Sequence, residues 1–390
     1  MLLKVGTARM YSAADYGRMI ADRARVAAYT EALRRAVRPG CVVLDIGTGT
    51  GFFAMLACRL GARKVYAIEP DNVILLAREA ARTNGYADRI EFIQDLSTRV
   101  ELPERVDVIV SDLRSVLPWF QQHIASIIDA RERLLAPGGV LIPERDTLWA
   151  AVVEMPEVYA DHVAHQPEDT WGFDMSAARR SGANVHTKAR AKPEQLLTEP
   201  RQWATLHYSA VKVSNVDAQI NWTVARSGTA HGFVAWFDTI LTEDVGFSNA
   251  PGGEPLLYGN AFFPWQEPVA VVRGDAIEVS LRANLVGDDY IWRWDSRVTG
   301  SAGTAEPKAE FSQSNFLGPQ ALERLRRGAA SYVPVLNGRE EVDRFIIDHF
   351  DGKRSLRDIA EAVASHFPDQ FPSWEVALGA VGELSFRYTR

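Results

Sequence analysis

Between Ala21 and about Ile142 two kinds of hydrophobic pattern alternate along the chain. Segments such as ADRARVAAYTEALRRAV and NVILLAREAARTNG repeat their apolar residues at helical spacing, whereas VVLDI, KVYAIE, IEFIQ and VDVIVSD are short apolar runs of strand length. Helices alternating with such strands predict a doubly wound α/β sheet with right-handed crossovers. From about Thr147 to Gln313 the pattern becomes strand-like, in LWAAVVE, HGFVAWFDTIL, AIEVSLRANLV and DYIWRWDSRV and in the alternation from Val211 to Thr223. Most of the tryptophans fall there, which suits an antiparallel β-barrel or sandwich. The stretch GSAGTAEPK, Gly300 to Lys308, reads as a loop. Past Phe316 helical spacing returns, with an Asp-Gly turn and a second helix beginning near Ser355. The expected domains are 1–145, 146–318 and 330–390.

Composition narrows the partners. A chain of 390 residues with 47% hydrophobic content can bury more than one ordinary core. A net charge of -7 argues against nucleic acid, because a domain that neutralises phosphates carries a basic surplus. Cys41 and Cys58 have no His/Cys companions, so neither a disulfide framework nor a metal site is expected, and a reducing cytoplasm fits. His349 and His366 lack ligand spacing as well. The amino-terminal segment has no signal-peptide pattern and no apolar run reaches membrane-spanning length, so neither export nor a membrane partner is expected.

The run VVLDIGTGTGF carries the first chemistry. A strand ending in Asp45, then Gly47, Gly49 and Gly51, then an apolar helix, is the layout of a nucleotide site at the carboxyl edge of a sheet. The spacing is D-x-G-x-G-x-G rather than the G-x-G-x-x-G of a dinucleotide fingerprint, and no Gly-Lys-Ser/Thr follows. Glu69, at the end of the next strand, can accept hydrogen bonds from both hydroxyls of a ribose. That geometry serves NAD or S-adenosylmethionine equally; Asp45 tilts the balance toward a cationic amino-acid ligand. A tight structural turn is the plain alternative.

These residues resemble the protein arginine methyltransferases. VLDIGTGTGFFAMLACRLGARKVYAIE looks like that family's first motif and following strand, and MIADRARVAAY matches its M-L-K-D-x-x-R-T-x-x-Y pattern at Met19, Asp22, Arg25 and Tyr29. The resemblance runs from about residue 10 to 315, strong in the first half and weak in the second. It implies a Rossmann-like domain followed by a β-barrel, with S-adenosyl-L-methionine as cofactor. Arg25 would pair with the donor's carboxylate, and Met19 would pack near its sulfonium, roles that suit a rigid fork and a soft thioether. With Asp95 past the third strand, the expected cofactor-binding set is Met19, Arg25, Asp45, Gly47, Gly49, Gly51, Glu69 and Asp95.

The departures fall on the acceptor side. Arginine-methylating members carry two glutamates on one hairpin loop; here SDLRSVLPWFQQ places Asp112 at the first position and Gln121 at the second. A buried guanidinium facing one carboxylate is short of compensation, at a cost of several kcal/mol. The family's Thr-His-Trp loop is also missing, its place taken by about LLYGN, Leu256 to Asn260. Asp112 either orients and deprotonates an acceptor or merely caps the next helix. The tail, LNGREEVDRFIIDHFDGKRSLRDIAEAVASHFP, resembles the PqqD-like domain at Leu336–Gly338, Asp351, Gly352, Leu356, Ile359 and Ala360. That implies a winged-helix module able to bind a leader peptide by strand addition; a packing cap or homodimer contact is the alternative. The resulting expectation is a methyltransferase acting on a nitrogen of a peptide or amino-acid-like small molecule, in a natural-product or peptide-modification pathway. The alternatives are a scaffold that kept the donor site, an arginine methyltransferase with an altered loop, and, disfavoured by the glycine spacing, a nicotinamide enzyme.

Overall fold

The computed structural model describes residues 13–163, 173, 176–301, 306–317, 333 and 338–389. Its first half is a five-stranded parallel sheet in the order β3-β2-β1-β4-β5, built from β1 (Val42–Ile46), β2 (Lys64–Ile68), β3 (Ile90–Ile93), β4 (Val106–Ser111) and β5 (Leu135–Ile142). Every residue of β1 is buried, the signature of a strand covered on both faces. One face takes helices α2 (Arg23–Ala36) and α3 (Phe52–Arg59), with Tyr29, Leu33, Ala54 and Cys58 in the shared core. Helices α4 (Ile74–Thr83) and α5 (His123–Arg133) complete the winding.

The single helix expected from Ala21 onward is broken. Helix α1 (Ala13–Ala21) stops before Asp22, which caps α2 by accepting from the Arg25 backbone N–H at 3.2 Å. The apolar period runs across the joint, so it does not register that Asp22 has left helical geometry to serve as a cap.

The second half is antiparallel. Strands β6 (Arg145–Val153), β7 (Thr187–Ala189), β8 (Arg201–His207), β10 (Gly228–Thr242), β11 (Val245–Ser248) and β12 (Asn260–Val271) form one sheet, whose main path is β7-β12-β10-β6-β8 with β11 on β10. Strands β9 (Val216–Thr223), β13 (Ala276–Val286), β14 (Asp289–Thr299) and β15 (Ala309–Ser314) form the other, in the order β15-β14-β13-β9. Alternation fixes the register: Ile277, Val279 and Leu281 point inward opposite Val298, Ser296 and Trp294. Two short helices, α6 (Pro156–His162) and α7 (Ser176–Gly182), interrupt this half.

Met1–Leu322 form one compact unit and Glu323–Arg390 another. Within the first, one hydrophobic core takes in Leu44 and Ile109 of the parallel sheet together with Leu148, Trp203, Phe233, Trp265 and Trp294 of the antiparallel ones. The second unit has α8 (Gly338–Asp348), α9 (Leu356–His366) and α10 (Trp374–Tyr388) around Ile346, Ile359, Val363 and Val381. Ser355 and Asp358 form a reciprocal capping box at the start of α9, where the sequence places it. No strand occurs among the described residues of this unit, so the wing that strand addition would use is not among them; Leu336 and Asn337 of the PqqD-like pattern lie outside the described residues. His349 and His366 flank Phe345 as ring contacts.

Candidate functional site

The carboxyl ends of β1, β2 and β4 gather the chemistry. Gly47 and Gly49 follow β1 with φ of 73° and 54°, conformations that L side chains rarely adopt. A Cβ on Gly47 would run into the Leu113 side chain, and one on Gly49 would lie 2.6 Å from the Tyr16 ring. Gly51, also at positive φ, is the N-cap of α3. The loop is thus a cradle of bare backbone at a helix start. Glu69 braces it: one carboxylate oxygen accepts from the Gly49 N–H at 3.0 Å and the other from the Asp71 N–H at 3.1 Å. Burial pushes the Glu69 carboxyl above its ordinary range, against the pull of those two N–H groups.

Asp45 does not act as the external counter-charge expected of it. Its carboxyl accepts from Thr48 Oγ1 at 2.6 Å and from the Ala54 backbone, and burial pushes it up to about 7. It is a clasp beneath the loop, held inward by Thr48 and Ala54, and largely protonated in weak acid because the charged form has no water there. Asp95 stays on its own loop, accepting from the Leu96 N–H at 2.7 Å, half-exposed.

Beside the cradle lies a buried polar network that sequence reasoning recognised only in part. Arg25, on the first turn of α2, sends Nε to Asp112 Oδ2 at 2.6 Å and to Tyr258 Oη at 3.0 Å, and Nη1 to the Met19 carbonyl at 3.2 Å. Its guanidinium lies 5.3 Å from the ring centroids of both Tyr29 and Phe53. The Tyr258 hydroxyl donates to Asp112 Oδ2 at 2.5 Å. Asp22 seats that tyrosine, since its second oxygen accepts from the Leu257 N–H at 2.7 Å. The helix-cap reading of Asp112 fails, because α5 starts at His123 after Gln122 with no side-chain cap.

Arg114 extends the network inward. Its side chain is fully buried; Nε reaches Asp112 Oδ1 at 3.2 Å, Nη1 reaches Asp146 at 2.8 Å and Thr239 at 2.7 Å, and Nη2 reaches Tyr29 at 2.7 Å. Asp146 also accepts from Thr239 at 2.5 Å and from the Tyr208 hydroxyl at 2.6 Å, and the His123 ring is 3.1 Å from that hydroxyl. Burial raises the Asp112 carboxyl, but Arg25 and Arg114 outweigh it and hold it below the usual carboxylate range. Gln121 stands apart, exposed at the end of the loop with φ of 45°. Asp146 and Tyr258 escape sequence reasoning because their partners are distant in sequence, and Arg114 because all its partners but Asp112 are; for Arg114 and Asp146 the available signal is a charged residue inside an apolar run, as in DLRSVL and ERDTLWA.

Two family profiles match the chain: the ribosomal protein L11 methyltransferase profile over residues 27–166 and the arginine methyltransferase oligomerization subdomain over residues 144–296. Protein arginine N-methyltransferase PRMT10 of Oryza sativa subsp. japonica is 33% identical over 304 residues, covering 67% of this chain and 78% of that protein. The probable protein arginine N-methyltransferase 6 of Arabidopsis thaliana is 31% identical over 229 residues, and there the match spans only about half of the relative, 52%, and 56% of this chain. Among solved structures, Arabidopsis thaliana protein arginine methyltransferase 10 superposes with a TM-score of 0.67 at 22% identity, over 78% of this chain and 97% of that one. The Trypanosoma brucei PRMT1 enzyme-prozyme complex with AdoHcy gives 0.68 at 21% identity, over 77% and 96%. With the rice relative matched across most of its length and the same two-part fold beneath the glycine cradle, this chain belongs to the protein arginine methyltransferase family of S-adenosylmethionine-dependent methyltransferases.

Proposed function

We propose that the chain methylates a nucleophilic nitrogen on a protein or peptide. The observation that carries this reading is the convergence of the glycine cradle, Glu69, Arg25 and Asp112 at the carboxyl edge of one parallel sheet. The residues fit S-adenosylmethionine: the glycines put no side chain between the loop backbone and a ligand, Glu69 supplies paired acceptors for ribose hydroxyls, and Arg25 supplies a fork for a carboxylate. When bound, the donor supplies a methyl group on a sulfonium, so no acid is needed to activate it. The protein's work is to align the acceptor, whose proton leaves to water. Asp112 stands next to Arg25, so one short loop orients the acceptor against the donor pocket. Met19 accepts from Arg25 through its backbone carbonyl.

Two finer parts belong to the same reading. The oligomerization profile over residues 144–296 supports self-association through the antiparallel half. The C-terminal unit serves as a docking module for a peptide, supported by the Asp351–Gly352 turn and the Ser355 cap at the positions the PqqD-like pattern gives them. No helix among the described residues is long and apolar enough to cross a membrane. Calorimetry decides the donor: S-adenosylhomocysteine is expected to bind and NAD is not, and tight NAD binding with no response to S-adenosylhomocysteine would sink the proposal.

A further inference from the structure

We propose that Arg114 sets the charge class of the acceptor, so that this site takes an uncharged nucleophile rather than a guanidinium. The inference rests on the methyltransferase reading above and deepens it. Its basis is a charge count in a region closed to water. Arg25 and Arg114 face Asp112 and Asp146, two cations against two anions, and the side chains of all four are at most 9% exposed. Both oxygens of Asp112 are engaged from within the protein: Oδ1 by Arg114, Oδ2 by Arg25 and Tyr258. A guanidinium needs two outward lone pairs in its plane and an anion to offset its desolvation, whereas Asp112 has Oδ2 doubly engaged and its charge shared between two arginines.

Loading the donor does not free that charge. A donor carboxylate that takes the Arg25 fork brings the donor's own ammonium with it, so the site gains no net anion and Asp112 stays held by Arg114, while the sulfonium of the methyl donor adds a further cation. Gln121, exposed and neutral, supplies no replacement anion. Arg114 itself cannot turn away, because Asp146, Thr239 and Tyr29 hold it from β6, β10 and α2. An uncharged acceptor meets none of these penalties. Its nitrogen lone pair forms the bond to the methyl carbon, the carbon–sulfur bond breaks with its electron pair left on sulfur, and the acceptor releases one proton to water.

The test titrates protein saturated with S-adenosylhomocysteine with two peptides identical except at one residue, arginine or its uncharged isostere citrulline. General loosening of the site weakens both peptides alike, so the ratio reports charge. In the wild type the citrulline peptide is expected to bind at least as well as the arginine peptide. Arg114→Gln is expected to shift the ratio about tenfold toward arginine, the size of one partly buried charge contact. Should Arg114→Gln fail to fold, Arg114→Met carries the same test: it removes the charge while filling the space, the ratio is expected to shift toward arginine by about tenfold, and an unchanged ratio overturns the proposal. A tenfold wild-type preference for arginine overturns it too, as does an Arg114→Gln ratio equal to wild type, or failure of Arg114→Gln to gain the arginine peptide where the wild type retains neither. Protein that does not bind S-adenosylhomocysteine fails at the earlier step and rejects the methyltransferase reading instead.

Discussion

The proposed donor side and the proposed acceptor side of this site are built on opposite principles. The donor side is local: Asp45, the glycines and Glu69 come from one strand-turn-helix-strand unit, and each is held by backbone within about a turn of itself or by the adjacent strand. The acceptor side is assembled from three distant segments, with the loop after β4 giving Asp112 and Arg114, β6 giving Asp146, and the approach to β12 giving Tyr258, and Arg25 of α2 joins it to the donor side. Local construction preserves a function through substitutions elsewhere, whereas long-range construction lets a single substitution reset selectivity.

The contrast can be broken most forcefully at Asp146. Asp146→Ala leaves the Arg114 guanidinium buried without its main counter-ion, and unfolding measured by chemical denaturation is expected to show a loss of about 3–5 kcal/mol; a loss below about 1 kcal/mol would mean the ion pair is not formed. Asp112→Asn comes next, with turnover on an acceptor peptide falling about a hundredfold, the size of a lost alignment, while donor affinity holds. Unchanged turnover would remove Asp112 from the acceptor side. On the donor side, Glu69→Ala is expected to weaken S-adenosylhomocysteine by about 2 kcal/mol, two hydrogen bonds' worth, with the antiparallel half unaffected by circular dichroism.

Acid gives the mildest of these probes. Burial lowers the His123 ring from its usual 6.5 to about 3, with Arg114 adding to the effect. Because the folded value lies below the unfolded one, the unfolded chain takes up a proton first, and stability falls as pH drops below 6.5 toward 3. For His123 alone the loss between pH 7 and pH 5 is about 2 kcal/mol. His123→Gln should flatten the denaturation midpoint across that range by this amount, and an unaltered slope would show that the ring is solvated.

Much of the scaffold was legible before any coordinates. AIEVSLRANLV is β13 to the residue, and VVLDI is β1, because strict alternation and an unbroken apolar run each have one good solution. The same logic missed the joint at Asp22, whose cap geometry leaves no trace in periodicity, and misjudged Asp45, whose burial is set by how α3 closes over it. Arg25 and Asp112 were identified as site residues, but their direct pairing was not anticipated. The tail's turn and helix start were readable from Asp351, Gly352 and Ser355, since turn and cap chemistry is written in consecutive residues.

The undivided core of the first unit has a practical consequence for protein engineers. The connection between β5 and β6, around residue 144, looks in the sequence like a natural crossover point for chimaeras that would graft a foreign acceptor half onto this donor half. It lies instead between Leu141 and Leu148, both members of the same core, and two residues from Asp146, whose ion pair spans the cut. A graft made there separates Arg114 from its counter-ion and leaves apolar faces on both fragments without their partners. Loops at the rim, such as the Gly287 turn between β13 and β14, are the places where new sequence can enter without opening that core.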